Sequence, residues 1–382
     1  MELVAWVIRV LYRLFCLLPL RRRIVFLSRQ AERPFDFALL EPALRERFPG
    51  HEIAWCCVHE IGRMSVPLML RQLWYAATSE LCLVDGYVPA VSLPSSHRGK
   101  VVQVWHAPGA IKKFGYQALD TPAGRSSRAA RALRMHRGYD LVVAGMPGAV
   151  GALSEAFDVP TEKIDPLGLP RIDYLRSPEL AELRERRYAR AERAVADAFG
   201  GGGDPRLTVL YAPTFRKGNA DALWLEHAVS ALRSALAATG VPVRLMVASH
   251  PLETVEEHDE KDGVPVAFLH GTPTIDLLHL ADYVVTDYST VAFEAGYAER
   301  RVLFYVPDIE EYRVSPGLNI DPLEELPTVS SVDARALANS VVGNVPYDKG
   351  AFRAFMDENA RCVLGGSIDR IADALAAFAA AR

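Results

Sequence analysis

One pattern constrains this chain more than any other. Short apolar runs of strand length alternate with helical stretches, stop at a Gly-rich segment, and then start again. Residues 24–27, 52–58, 81–85, 100–105 and 139–144 read as strands, and 38–48 and 67–78 as helices. Strands that alternate with helices imply parallel sheet. Residues 179–199 then read as a charged helix, and 200–204 as a Gly-rich linker. The pattern resumes with strands at 207–211, 244–248, 266–269, 283–286 and 302–305, separated by helices at 223–239, 274–280 and 290–298. An amphipathic helix at 368–381 closes the chain. The expected class is α/β, with two doubly wound domains facing across a cleft. The boundaries expected are an N-terminal helix over 1–23, a first domain over 24–178, a connector over 179–206 and a second domain over 207–382, whose last helix can pack back on the first. In such sheets, ligands bind at strand C-terminal ends and helix N-termini.

Composition agrees. Half the residues are hydrophobic and 24% are charged, enough to bury two cores. The 43 Lys and Arg against 47 Asp and Glu leave a net charge of −4, which speaks against nucleic-acid binding through a global basic field. The five cysteines show no C-x-x-C pair, which disfavours structural zinc and makes a reducing cytosol the expected compartment.

The first residues are unusual. Apolar side chains run from Leu3 to Leu20, interrupted by Arg9 and Arg13 and closed by Arg21, Arg22 and Arg23. A signal peptide has its basic residues first. A spanning helix would hold Arg9 and Arg13 at membrane depth, at ~2.5–3.5 kcal/mol each. On a helix, Glu2, Arg9, Tyr12, Arg13 and Cys16 share a narrow face, while Trp6, Val7, Val10, Leu14, Leu17 and Leu18 cover most of the rest. This predicts a helix lying in the headgroup layer, with the triple Arg drawn to anionic lipid. The alternative is a helix packed on the protein's own core.

Candidate chemistry gathers at strand ends. His106 follows a strand and precedes Gly109, Lys112 and Lys113, a placement suited to a general base beside phosphate-holding cations. Thr214 and Arg216 follow 207–211, and an Arg fork suits phosphate. His250 ends another strand. Asp287, Ser289 and Thr290 end a third and open a helix whose first turn can hold an anion, with Glu294 placed to meet a ribose hydroxyl. Taken singly, each has a structural reading: a satisfied histidine, solvated lysines, a surface ion pair, a helix cap. Together they point to phosphate chemistry. There is no G-x-x-x-x-G-K-[ST] loop, no G-x-G-x-x-G and no G-x-S-x-G elbow, and no metal-ligand spacing, so no cofactor and no dedicated metal site is expected, and metal dependence is left open.

The segment from Val102 to Tyr116, with Trp105-His106-Ala107-Pro108-Gly109 at its centre, resembles the signature of the CDP-glycerol glycerophosphotransferases, the teichoic acid primases and polymerases. Tyr211-Ala212-Pro213-Thr214-Phe215-Arg216, His250-Pro251, the block from Thr286 to Glu294 with Asp308 to Arg313, and Leu167-Gly168-Leu169-Pro170-Arg171-Ile172-Asp173 are similar to further motifs of that family, in the same order. The resemblance implies a GT-B arrangement of two Rossmann-like domains. It implies transfer of a polyol phosphate from a CDP-polyol to a hydroxyl of a lipid-linked or glycan acceptor, with CMP released, at the cytoplasmic face of the membrane. By position, His106 becomes the catalytic base and His250 a second essential histidine, and Arg216, Ser289 and Thr290 hold the diphosphate. After Arg313 the family usually has Arg-Gly-Phe-Tyr; here Ser315-Pro316-Gly317-Leu318-Asn319 stands instead, which leaves the polyol open. The alternative function is a GT-B glycosyltransferase using a nucleotide sugar.

Overall fold

A computed structural model describes residues 2–29, 31, 33–58, 64–201, 206–216, 223–248, 263–360 and 365–380. The chain divides into two compact units, Met1–Asp173 with Asn359–Arg382, and Tyr174–Glu358.

The first unit holds strands β1 (Arg21–Ser28), β2 (Glu52–Cys57), β3 (Ser79–Val84), β4 (Lys100–Val104), β5 (Leu141–Val143) and β6 (Ile164–Asp165). They form one parallel sheet in the order β2-β1-β3-β4-β5-β6. That is the flavodoxin-type order, so the direction of winding reverses between β1 and β3. Its helices are α1 (Glu2–Phe15), α2 (Phe35–Arg47), α3 (Val66–Thr78), α4 (Pro89–Ser92), α5 (Ser127–Ala132), α6 (Val150–Phe157) and α7 (Pro170–Arg176), the last reaching into the second unit. Ile24, Val25, Phe26 and Leu27 are wholly buried, as a strand covered on both faces requires.

The second unit holds β7 (Leu207–Tyr211), β8 (Val243–Val247), β9 (Val266–Phe268), β10 (Tyr283–Thr286), β11 (Arg301–Tyr305) and β12 (Ser330–Ser331). Their order is β12-β11-β10-β7-β8-β9, all parallel. This is the Rossmann order, with its switch between β7 and β10. Around it lie α8 (Ala181–Ala198), α9 (Trp224–Ala237), α10 (Thr274–Leu277), α11 (Val291–Tyr297), α12 (Ile309–Val314), α13 (Pro322–Glu325), α14 (Ala334–Val341) and α15 (Lys349–Ala360). The helix expected to connect the domains, α8, packs on α10 within this unit.

The last helix, α16 (Ser367–Ala380), lies in the first unit against α2. Arg47 reaches Asp369 and Asp373 at 2.9 and 3.0 Å, and both oxygens of Asp173 accept main-chain N–H groups of its first turn, from Ser367 at 2.9 Å and Ile368 at 2.7 Å.

Helix α1 packs through Ala5, Ile8 and Tyr12. The Tyr12 hydroxyl meets His97 Nδ1 at 3.0 Å, and Arg9 donates to the Leu93 carbonyl at 3.3 Å. Its other side stays open: Trp6 is 60% exposed and Leu17, just past the helix, 82%. No described helix is long and apolar enough to cross a membrane. The triple Arg needs a correction. It opens β1 rather than trailing a surface helix, and Arg23 is only 1% exposed, paired with Glu52 at 2.8 Å and lying 4.6 Å from the Trp74 ring centroid. It also donates to Thr78 at the C-terminal end of α3, where a cation suits the helix dipole. Lipid contact by Arg23 is therefore excluded.

Candidate active site

The first cluster of candidate residues forms where the winding of the first sheet reverses. Ser28 ends β1 and donates its hydroxyl to Asp85 Oδ2 at 2.7 Å, immediately after β3, which ties the two strands together across the switch. His106 follows β4 and brings Nδ1 within 2.7 Å of the Asp85 carbonyl. A carbonyl only accepts, so Nδ1 carries the proton and Nε2 presents its lone pair. Burial lowers the His106 pKa, partly opposed by the Asp85 carbonyl, so the neutral, proton-accepting form persists. The imidazole rests against Trp105 at 4.0 Å between centroids, and Trp105 stacks on Phe114 at 5.0 Å. Glycine holds the loop close. A Cβ on Gly145 would stand 2.5 Å from the Pro108 backbone, and Gly115, at φ +58°, would meet the Ala156 carbonyl at 2.2 Å.

Of the weaker candidates, Gly109 is buried in this loop, and Lys112 and Lys113 are half-buried, Lys112 with partners of its own. The segment from Leu167 to Asp173 is a latch. Pro170 opens α7, Arg171 grips Asp36 with its main-chain N–H at 2.9 Å and with its guanidinium, and Asp173 caps α16 as above.

Asp85 was not singled out in the sequence. Burial pushes its carboxyl up to about 7, opposed by the Ser28 hydroxyl. The signal was present all the same: an acid directly after a buried strand, as Asp287 is after β10.

The second cluster lies at the β7/β10 switch. The Thr286 hydroxyl donates to the Ala212 carbonyl at 2.7 Å, and Asp287 Oδ1 accepts the N–H groups of Thr214 and Tyr288 at 2.8 and 2.6 Å. Asp287 thus joins the loops after β7 and β10, and it is fully buried.

Arg216 departs from expectation. Its side chain is only 6% exposed. Nη2 lies 2.7 Å from Asp287, Nε and Nη2 bond Asp308 at 2.8 and 3.2 Å, and Nη1 donates to the Thr214 carbonyl at 2.7 Å. The guanidinium lies 3.8 Å from the Trp224 ring centroid and 4.7 Å from that of Tyr312, which stacks on Tyr288 at 3.8 Å. Burial alone would lower its pKa; Asp287 and then Asp308 outweigh that and raise it. A guanidinium spent on two carboxylates has little left for a diphosphate.

Thr214 and Glu294 are also buried, so neither stands open to a donor. Ser289 and Thr290 are half-buried at the start of α11. Ser289 Oγ accepts the Val291 N–H at 3.4 Å, and the Thr290 side chain forms no cap. Their hydroxyls are the accessible polar groups among the expected donor-site residues of this unit. His250 lies outside the described residues, as does the whole 249–262 segment. Among the described residues, no three His, Cys, Asp or Glu side chains stand together as a metal site.

Residues 10–376 match the family described as CDP-Glycerol:Poly(glycerophosphate) glycerophosphotransferase. The chain is 32% identical over 330 residues to the teichoic acid ribitol-phosphate primase of Bacillus spizizenii, covering 83% of this chain and 80% of that one. It is 23% identical over 290 residues to the teichoic acid glycerol-phosphate primase of Bacillus subtilis, covering 76% and 71%. The fold is similar to that of the wall teichoic acid polymerase TagF, with a TM-score of 0.72 at 17% identity, covering 98% of this chain and 93% of that one.

Proposed function

This chain belongs to the CDP-glycerol:poly(glycerophosphate) glycerophosphotransferase family, and we propose how its residues carry out the transfer that follows from that membership. The reaction is that of a CDP-polyol phosphotransferase in teichoic acid synthesis: a hydroxyl of the acceptor takes the polyol phosphate and CMP leaves.

The first unit takes the acceptor and the second the CDP-polyol, in the GT-B manner. His106 Nε2 accepts the proton of the acceptor hydroxyl as its oxygen bonds to the polyol-bearing phosphorus. The bond from that phosphorus to the CMP oxygen breaks, and CMP departs with the electron pair. General-base help of this kind contributes about 10²–10⁴-fold. The Ser289 and Thr290 hydroxyls hold the diphosphate, with His250 as a second essential group. Arg216, Asp287 and Asp308 fix the loops that present them. Thr214 and Glu294 support those loops from within, and Lys112, Lys113 and Gly109 shape the acceptor side. The observation that carries this reading is the bond from His106 Nδ1 to the Asp85 carbonyl, which leaves the opposite nitrogen basic.

The acceptor is lipid-linked or a glycan, and the chain meets the cytoplasmic membrane face through α1. Support for this comes from the exposed side chains of Trp6, Val7, Leu14, Leu17 and Leu18 beside exposed Arg13.

Incubation with CDP-glycerol, CDP-ribitol and UDP-sugars separately tests the donor. CMP release from a CDP-polyol that depends on acceptor is the expected result. Turnover of a UDP-sugar alone would make the chain a glycosyltransferase instead.

A further inference from the structure

Two guanidinium groups in the first unit share one aromatic ring and, among the described residues, pair with no acid. Arg29, just after β1, sits with Cζ 5.3 Å from the centroid of Tyr87. Arg125, in the loop before α5, sits with Cζ 5.6 Å from the same centroid. Among the described residues, neither is paired with a carboxylate, and the Nε of Arg29 is buried without a partner. Burial, then the field of Arg125, lowers the Arg29 pKa, and Asp85 opposes this less than Arg125 promotes it. A half-buried cation pressed towards a second one is costly unless an anion offsets the charge.

The placement indicates which anion. Tyr87 lies two residues beyond Asp85, whose carbonyl holds His106. That loop is pinned along its length. Ser28 bonds the Asp85 carboxylate, the Tyr139 hydroxyl donates to the Gly86 carbonyl at 3.3 Å, and the Tyr87 hydroxyl donates to the Leu133 carbonyl at 2.9 Å. Behind it, His136 lies 5.9 Å from the Tyr87 ring, and burial, then Arg125 and Arg29, bring its pKa to about 3, so it adds no third charge. The two arginines therefore face a ring on the pinned loop whose Asp85 carbonyl orients the base, in the unit proposed to take the acceptor.

We propose that Arg29 and Arg125 form a phosphate-binding subsite for the acceptor, engaging a phosphomonoester or phosphodiester group next to the hydroxyl that His106 deprotonates. The inference rests on the transferase reading and narrows its acceptor to one that already carries phosphate. A guanidinium fork meets two phosphate oxygens at once, which sets register as well as affinity. A neutral polyol or glycan end would lack this anchor.

Arg125 is exposed, so Arg125→Gln leaves the core untouched. The full chain and this variant are titrated calorimetrically with glycerol 3-phosphate and with glycerol. Both are also turned over with CDP-polyol on acceptors that end in a phosphate-bearing polyol or in a neutral one. The variant is expected to bind glycerol 3-phosphate about 10-fold more weakly or worse, the loss of a hydrogen bond to a charged group. The ratio of kcat/KM on phosphate-bearing over neutral acceptor falls by a similar factor, while the donor KM holds. Arg29→Lys keeps the charge, loses the fork and falls between. Undiminished glycerol 3-phosphate binding, equal loss on both acceptors, or a rise confined to the donor KM would overturn the subsite. Phosphatidylglycerol vesicles separate the other source of phosphate: loss of vesicle sedimentation with glycerol 3-phosphate binding intact assigns the pair to headgroups and also overturns it. If no donor is turned over at all, the transferase reading fails, and the calorimetry still decides the subsite.

Discussion

At the scale of single residues, the two clusters hold charge in opposite ways. His106 is kept neutral by burial and oriented by a carbonyl, whereas Arg216 is kept charged by two carboxylates. The first arrangement leaves a reactive atom free; the second consumes one. Position in the sequence singled out both residues and could not separate these outcomes, because the acids that hold Arg216, Asp287 and Asp308, are distant in sequence and meet it only in the fold. Arg216→Met leaves Asp287 buried without its counter-charge, at a cost of about 3–5 kcal/mol. Thermal unfolding should show the second unit melting roughly 10 °C lower; an unchanged melt would mean the ion pairs carry little. Asp85 makes a separate prediction. Its folded pKa of about 7 stands above the unfolded value of about 3.9. The folded state then binds the extra proton between those values, so the stability it contributes is full below about pH 4 and lost as pH rises through 7. Asp85→Asn removes that dependence. Its melting temperature relative to wild type should be higher at pH 8 than at pH 4, and a pH-independent difference would refute the shift.

At the scale of elements, strands were the most legible features, since an apolar run of five or six residues covered on both faces has few alternatives. The two-residue strands β6 and β12 were missed, being too short to leave a pattern. The segment 167–173 was recognised as a motif, but its work was hidden: Asp36 and α16, which it joins, are far away in sequence. The N-terminal segment shows how local reading misleads. Three consecutive arginines suggest a surface, yet the third lies where β1 enters a sheet covered on both faces, against Trp74 and Glu52. Deleting residues 1–23 would therefore remove the buried Arg23 and its pairing with Glu52 as well as a helix. Leu14→Glu with Leu17→Glu is the cleaner test, because both side chains are exposed. The doubly substituted protein should move from pelleted anionic vesicles to the supernatant while its melting temperature stays within a degree or so. Unchanged sedimentation would remove α1 from the membrane contact.

At the scale of the whole molecule, two parallel sheets carry their candidate residues at their switch points, between β1 and β3 and between β7 and β10. The repeat of the strand–helix pattern forecast two such sheets. It also allowed the last helix to return to the first unit, and that return rests on Asp173 and Arg47 meeting a helix near the other end of the chain. The central claim is that one imidazole in the first unit accepts the acceptor's proton while the second unit holds the donor. The most direct measurement pairs single-turnover kinetics with CDP-polyol binding for His106→Ala. The expected result is a rate lowered by about 10²–10⁴-fold with donor affinity within twofold of wild type. A variant that turns over at the wild-type rate, or that loses its rate only because it no longer binds CDP-polyol, would contradict it.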